Sequence, residues 1–191
     1  MLAITPAPAL AHCDGLDGPV VKAAQRALET RNPAFALIWV QEGDESEVRS
    51  AFEQTLAVRE LSPQAKDLAD RYFFETLVRV HRAGEGAPFT GLKPAGRDLG
   101  PAIPAADDAI RVGSVEPVLR LLTSVVQEGI REHFGEVMTT KTFTSDDLAA
   151  GRAYVKAYVE FIHFVERLYD DSALTAAHGH FDDRDVPSKE R

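Results

Sequence analysis

The sequence has little cysteine, little positive charge and no long apolar run, and each shortage excludes a class of protein. Its 191 residues include one cysteine, so no internal disulfide can form and no oxidising compartment is implied. Lysine and arginine number 21 against 30 acidic residues, which gives a net charge of −9. Nucleic acids and anionic membranes bind basic surfaces, so neither is expected as a partner. No run of about 18 apolar residues is present, so no transmembrane helix is expected.

Strand-like alternation is also missing, whereas helical periodicity is plentiful. Hydrophobic residues make up 45% of the chain, which is enough apolar material for a packed core. The apolar positions in LADRYFFETLVRVH (68–81) and YVKAYVEFIHFVERLY (154–169) follow the 3.6-residue period of a helix. The sequence therefore predicts an all-α fold, packed as a helical bundle.

A repeat organises the chain. The segment GPVVKAAQRAL (18–28) returns as GPAIPAADDAI (100–110), an offset of 82 residues, and the match continues without a gap. His81 meets His163 at the same offset. We interpret the pattern as an internal duplication that builds the bundle from two pseudo-symmetric three-helix repeats. The predicted repeats are residues 18–83 and 100–165, joined by a Gly/Pro-rich linker, 84–99, within a single helical domain, 12–171.

Proline and serine mark the predicted helix starts, because proline is tolerated in the first turn and serine caps a helix N-terminus. A break is predicted near Gly43, where Asp44 offers an N-cap. The predicted helices are 19–30, 33–60 and 63–83 in the first repeat, and 101–112, 115–141 and a last helix from after Ser145 to 170 in the second.

The two ends of the chain differ in character from its middle. Residues 1–11, MLAITPAPALA, end in an A-x-A pattern like that of a signal-peptidase site, yet they lack a positive n-region and contain two prolines. As written they predict a flexible arm on a cytoplasmic protein; export after cleavage near Ala11 is the alternative, and it would make His12 the N-terminal residue. The polar residues 172–191 are predicted to be a disordered tail.

The stretch HCDGLD (12–17) carries the densest chemistry. His12, Cys13, Asp14 and Asp17 offer nitrogen, sulfur and oxygen ligands, a set that suits Ni, Cu, Zn or Fe. Cys13 also lies just before a predicted helix N-terminus, where the dipole favours a thiolate. In the alternative interpretation, the aspartates and glycines form a capping turn and the cysteine is a small buried apolar group.

His12-Cys13-Asp14-x-x-Asp17-Gly18 resembles the nickel hook of the nickel superoxide dismutase family, which reads His-Cys-Asp-x-x-Cys-Gly at the mature N-terminus. The resemblance implies a metal held by the His12 imidazole and amine and by the backbone amide and thiolate of Cys13. Asp17 stands where that family has its second thiolate, and the tyrosine that follows the hook there is absent here.

A wider resemblance is to a bacterial family without an assigned activity, whose members carry His-Cys-Asp-x-x-Asp-Gly-Pro-Val-Val near the start. They also carry a version of YFFETLVRVHRAGEGAPFTGLKPAG, residues 72–96 here. This resemblance covers most of the chain and implies no reaction. Some members have a secretion signal that ends before the histidine.

Two further histidines complete the candidate metal ligands. His81 and His163 occupy equivalent places on the third helix of each repeat, so a two-fold arrangement would bring them near its axis. Glu160 precedes His163 by three residues, a spacing used in di-metal bundles, but Val78 replaces it in the first repeat. The alternative is a pair of hydrogen-bonded core histidines.

Three functions follow from these residues. The first is a metal-binding helical protein, with redox chemistry as an option, that uses His12, Cys13, Asp14 or Asp17 with His81 or His163. The second is a non-catalytic binding or scaffold domain for a small molecule or a protein. The third is a thiol enzyme with Cys13 as the catalytic nucleophile and a histidine as its base.

Overall fold

The computed structural model describes residues 12–177, and it is all-α. Within this range the chain forms seven α-helices, one 3₁₀ turn and a single isolated β-bridge. The helices are α1 (Pro19–Thr30), α2 (Ala34–Leu37), α3 (Glu45–Val58), α4 (Pro63–Gly84), α5 (Ala102–Val112), α6 (Glu116–Thr140) and α7 (Leu148–Ala177), with the 3₁₀ turn at Glu42–Asp44 between α2 and α3. None of these helices is long and apolar enough to cross a membrane.

The helix ends follow local chemistry. Proline occupies the first turn of α1 and α4, and the Ser62 hydroxyl accepts a hydrogen bond from the Ala65 backbone N–H at the start of α4. The predicted break near Gly43 is confirmed, because the chain leaves the helix after Leu37 and resumes it at Glu45. The helix α7 continues to Ala177, into the segment predicted as tail; the predicted arm, 1–11, and residues 178–191 lie outside the described residues.

The chain divides into two compact units between Pro104 and Ala105. The prediction that all the helices pack as a single domain stays a prediction, as does the internal duplication.

The first unit has a closed apolar core. The helix α1 packs against α2 and α4, and α3 packs along α4. The Phe52 and Phe73 rings meet at 5.6 Å between centroids. The core residues are Val20, Val21, Ala24, Ala27, Leu28, Ala36, Leu37, Val48, Ala51, Phe52, Phe73, Leu77, Val78 and Val80.

The second unit is built on an antiparallel pair, α6 and α7. Ring contacts between His133 and Phe164, and between Phe134 and Phe161, fix the direction, because the residue number rises on one helix as it falls on the other. The Phe164 ring packs against the α6 backbone at Gly129, where an added Cβ would lie 2.6 Å from Phe164 Cζ. The helix α5 buries none of its residues.

A partly buried ion cluster joins the C-terminal end of α3 to α4 in the first unit. The Arg59 guanidinium donates to both carboxylate oxygens of Asp70 at 2.7 and 3.0 Å, and Lys66 Nζ donates to Oδ2 at 2.6 Å. Burial alone would raise the pKa of Asp70, but the hydrogen bonds from Arg59 and Lys66 outweigh it and hold the pKa below its ordinary value. The charged carboxylate therefore stabilises the folded state.

Replacing Asp70 with asparagine tests this cluster. We expect D70N to lower the free energy of unfolding by about 2–3 kcal/mol at neutral pH, because hydrogen bonds to a buried charge are lost. Since the folded-state pKa of Asp70 is depressed, the wild-type advantage is complete above about pH 4 and is lost as the pH falls through that lower value. Urea unfolding at several pH values measures it.

The matched control is Asp67→Asn, one turn earlier on α4, at an exposed position. Its effect should stay within about 0.5 kcal/mol at every pH. A D70N penalty that did not shrink in acid would contradict the assigned role of the charge.

Candidate functional site

The site begins with a tight loop, residues 12–18, which we call the hook loop. The Gly18 backbone N–H donates to the Gly15 carbonyl at 2.8 Å, and the Gly15 N–H donates to the His12 carbonyl at 3.4 Å. Gly18 then serves as the N-cap of α1, and no side chain bonds to that helix end. The alternative interpretation of a capping turn is therefore correct for the turn, but no aspartate side chain caps α1.

The hook loop is hydrogen-bonded to residues 93 and 96, in the segment predicted as a linker. The Leu16 N–H donates to the Lys93 carbonyl at 3.0 Å, and the Lys93 N–H donates to the Asp14 carbonyl at 2.8 Å, which forms the isolated bridge. Asp17 Oδ2 accepts a hydrogen bond from the Gly96 backbone N–H at 2.8 Å, and this bond lowers the pKa of Asp17. The carboxylate of Asp17 thus binds the backbone of residue Gly96 and connects the hook loop to that segment.

The Asp14 side chain is almost completely buried, with 2% of its surface exposed. Arg82 on α4 forms an ion pair with it: Arg82 Nε lies 3.5 Å from Asp14 Oδ1, although neither of these two atoms makes a hydrogen bond among the described residues. A second nitrogen of the same guanidinium, NH1, bonds Glu85 Oε2 at 3.1 Å. Arg82 therefore links the hook loop to the carboxylate that follows α4.

Three potential metal ligands converge beside this arginine. One ligand atom each from Cys13, His81 and Glu85 lies within 4.8 Å of the other two. His81 and Glu85 share one face at the end of α4, since they are four residues apart, and His81 Nε2 lies 3.4 Å from Glu85 Oε1. The hook loop brings in Cys13, which also packs against the apolar core.

A hydrogen bond at Nδ1 determines the tautomer of the neutral His81 ring. Its Nδ1 lies 2.8 Å from the carbonyl oxygen of Trp39, which can only accept, so Nδ1 carries the proton. In the neutral ring, Nε2 then carries a lone pair. Among the described residues Nε2 is buried and makes no hydrogen bond, and Glu85 Oε1 lies 3.4 Å from it.

Two further features of the surroundings bear on ligand binding. The negative end of the α4 dipole lies at this position, where it favours a cation. A small cavity of about 210 Å³ adjoins the site, and it offers access for solvent or a small ligand. The residues that line it are Ile38, Trp39, Val40, Gln41, His81, Gly84 and Glu85.

A larger cavity of about 610 Å³ lies elsewhere on the first unit. Its walls include Leu16 and Lys93 from the hook loop and linker, together with Phe74 and the Arg59–Asp70 pair. Its volume falls in the range of small-molecule pockets. If the predicted small-molecule partner exists, this cavity is where we expect it to bind.

The residues predicted as ligands are distributed unevenly. Cys13 and His81 come together, whereas Asp14 pairs with Arg82 and Asp17 bonds Gly96. His12 precedes Cys13 but is not a member of the converging group.

His163 belongs to the second unit, where its Nδ1 lies 3.0 Å from Glu166 Oε2 at the surface. The sequence analysis missed Glu85 and Arg82. The spacing His81-x-x-x-Glu85 is the signal that could have identified the glutamate.

Gly18 tests whether the hook loop positions Cys13. An added Cβ at Gly18 would lie 2.3 Å from the His12 carbonyl oxygen, so the loop must open in Gly18→Ala. We expect a loss of about 1–3 kcal/mol in unfolding free energy and faster alkylation of Cys13 by iodoacetamide, followed by mass spectrometry.

Gly43→Ala is the control, since an added Cβ there meets nothing within 4 Å. It should leave both the stability and the alkylation rate unchanged. Equal alkylation rates in the two variants would show that the loop conformation does not govern access to the thiol.

Comparison with known proteins identifies the chain at the level of a family. A model described as a family of unknown function (DUF6448) matches residues 17–164, which include His81 and Glu85 and begin four residues after Cys13. No curated protein and no solved structure matches the chain. The proposed His-Cys-Asp signature and the nickel-hook resemblance begin five residues before the matched segment and stay predictions. Because the match covers most of the sequence, the chain belongs to the DUF6448 family of unknown function.

Proposed function

We propose that the protein binds a divalent transition metal ion through Cys13 Sγ, His81 Nε2 and a carboxylate oxygen of Glu85. The observation that carries this proposal is the His81 ring, whose Trp39 hydrogen bond leaves Nε2 as the ligand nitrogen beside a thiol and a carboxylate. A histidine that donates its second ring N–H to a backbone carbonyl is a common arrangement in metal sites, because the bond fixes tautomer and orientation.

The spacing of the three ligands supports the proposal. In a tetrahedral zinc site with bonds of about 2.0–2.3 Å, ligand atoms lie about 3.5 Å from one another. The three atoms here all lie within 4.8 Å, so small side-chain rotations would complete the site. Three protein ligands leave a fourth position for water, a substrate or His12.

The charge balance supports a divalent ion. A Cys13 thiolate, Asp14 and Glu85 would contribute three negative charges, and Arg82 contributes one positive charge. A divalent ion brings this group to neutrality, which lowers the cost of burying its charges.

The sulfur, nitrogen and oxygen donors suit Zn, Ni, Cu or Fe, and a redox role would require one of the last three. In this proposal Asp14 and Asp17 are not metal ligands. They stabilise the conformation of the hook loop through Arg82 and the Gly96 backbone. His163 has no part in it.

Substitution of the ligands tests the proposal. We expect the untagged full-length protein to bind one metal ion per chain when offered Zn, Ni, Cu and ferrous iron separately, measured by elemental mass spectrometry after dialysis. Cys13→Ser and His81→Gln should each remove most of the metal. Ni or Cu should also quench the single tryptophan, because the Trp39 and His81 rings are 5.8 Å apart.

His163→Gln is the matched control, since it removes an exposed histidine from the second unit. It should retain the full metal content. Metal that survives both ligand substitutions, or the absence of binding for all four metals, would overturn the proposed site.

A second function, thiol chemistry with Cys13 as the nucleophile, is favoured by the same Cys13–His81 proximity. With His81 Nε2 as the base, the thiol proton would pass to the imidazole, the sulfur would displace a leaving group from an electrophilic carbon, and the imidazolium would return the proton to that leaving group.

Alkylation kinetics separate the two functions. In a thiol enzyme, metal-free protein should react rapidly with iodoacetamide at neutral pH, and His81→Gln should slow the reaction. In a metal protein, added Zn should protect Cys13 in the wild type and give little protection in His81→Gln. Protection that persists in His81→Gln would exclude His81 as a ligand.

A further inference from the structure

The cavity of about 610 Å³ on the first unit lies between α1 and α4, and we call it the α1–α4 groove. Asp14, in the loop before α1, pairs with Arg82 near the end of α4. At the other end of α1, the Leu28 carbonyl accepts a hydrogen bond from Arg59, which is also bonded to Asp70 near the start of α4. The two helices are therefore antiparallel, and the hook loop lies toward the end of α4.

The groove offers a fixed apolar surface. Leu28 on α1 is 1% exposed, and Phe74 on α4 and Leu92 in the predicted linker are partly buried and pack against the core of the unit. Leu16 also lines the groove from the hook loop, and 42% of its surface is exposed. A ligand with an apolar body would remove this surface from water, which is the main source of affinity in small-molecule sites.

A net positive charge lies beside this apolar surface. Asp70 is bonded to both Arg59 and Lys66, so the three side chains together carry one positive charge in excess. The side chains of Arg59 and Asp70 are only 15% and 11% exposed. Salt and solvent therefore screen this cluster less than they screen charges at the surface.

The cations of the cluster also retain unused hydrogen-bond donors. Among the described residues, Arg59 uses three of its five N–H groups, two on Asp70 and one on the Leu28 carbonyl. Lys66 Nζ uses one of its three, on Asp70. A carboxylate in the groove could accept hydrogen bonds from both cations without displacing Asp70.

The other charged side chains of the groove balance one another. Glu29 and Asp67 are negative, whereas Arg71 and Lys93 are positive. Glu29, Asp67 and Arg71 are exposed, so their fields are strongly screened. The sign of the preferred ligand charge is therefore decided by the cluster of Arg59, Lys66 and Asp70.

We propose that the α1–α4 groove binds a small organic acid that has an apolar body and a single carboxylate. The carboxylate bonds Arg59 and Lys66, and the apolar body covers Leu16, Phe74 and Leu92. The groove contains none of the proposed metal ligands, so this proposal and the proposed metal site can fail independently.

Isothermal titration calorimetry of the full chain with octanoate and 2-naphthoate tests the proposal and separates an aliphatic from an aromatic ligand. We expect one molecule of at least one acid to bind per chain. For an aliphatic ligand, 1-octanol and octylamine should bind about tenfold or more weakly than octanoate, because they lack the charge that the cluster attracts. Hexanoate should also bind about tenfold more weakly, since each buried CH₂ contributes about fourfold in affinity. For an aromatic ligand, 2-naphthol should bind about tenfold or more weakly than 2-naphthoate.

Two substitutions test the two halves of the groove. Leu16→Asp should lower the affinity for the acid that binds about tenfold, because it places a carboxylate on the apolar surface. Lys66→Gln should lower that affinity about fivefold and leave the binding of the matching alcohol unchanged, because it removes the excess positive charge. Both side chains are largely exposed, so far-UV circular dichroism should show both variants folded.

Matched controls lie outside the groove. Leu61→Asp changes a leucine that is 76% exposed, and Lys156→Gln changes an exposed lysine of the second unit. Both should retain the full affinity for the acid. The proposal is overturned if neither acid binds, if octylamine binds more tightly than both acids, or if Leu16→Asp and Lys66→Gln bind as well as their controls.

Discussion

The candidate site depends on the buried ion pair between Asp14 and Arg82. Asp14 lies in a loop without regular structure, and a charge buried to this degree is tolerated only when it is paired. Its partner is on the last turns of α4, so the pairing places the hook loop against the end of that helix. Cys13, the preceding residue, is thereby held near His81. The same guanidinium also bonds Glu85, so one arginine contacts both the hook loop and the carboxylate beside His81.

Backbone hydrogen bonds make that arrangement specific. The hook loop and the linker exchange two bonds across residues 14, 16 and 93, and Asp17 closes the far end by binding Gly96. The hook loop lies outside any helix, so its backbone N–H and C=O groups cannot be satisfied by helical hydrogen bonds. The bonds to residues 93 and 96 satisfy some of them instead. The aspartates of the hook loop therefore have structural roles, whereas the sequence pattern suggested that they are metal ligands.

The helices could be predicted because their signals are local. Proline at the start of α1 and α4 and the break near Gly43 are features of a few adjacent residues. Cys13 was predicted as a ligand from its neighbours, and His81 from its place in the repeat. Glu85 was visible at helical spacing but was not recognised. The pairing of Asp14 with Arg82 joins residues 68 apart, and no local pattern encodes it.

The break between α2 and α3 explains why His81 and His163 differ even if the two halves arose by duplication. Trp39 lies in this break, so its carbonyl is not part of a helix and can accept the proton on His81 Nδ1. The residue 82 positions later, Leu121, lies inside the continuous helix α6, where carbonyls bond within the helix. His163 thus has no equivalent acceptor and turns to Glu166 at the surface. One interruption of a helix is enough to give one histidine a backbone acceptor that fixes its ring, and to leave the other exposed.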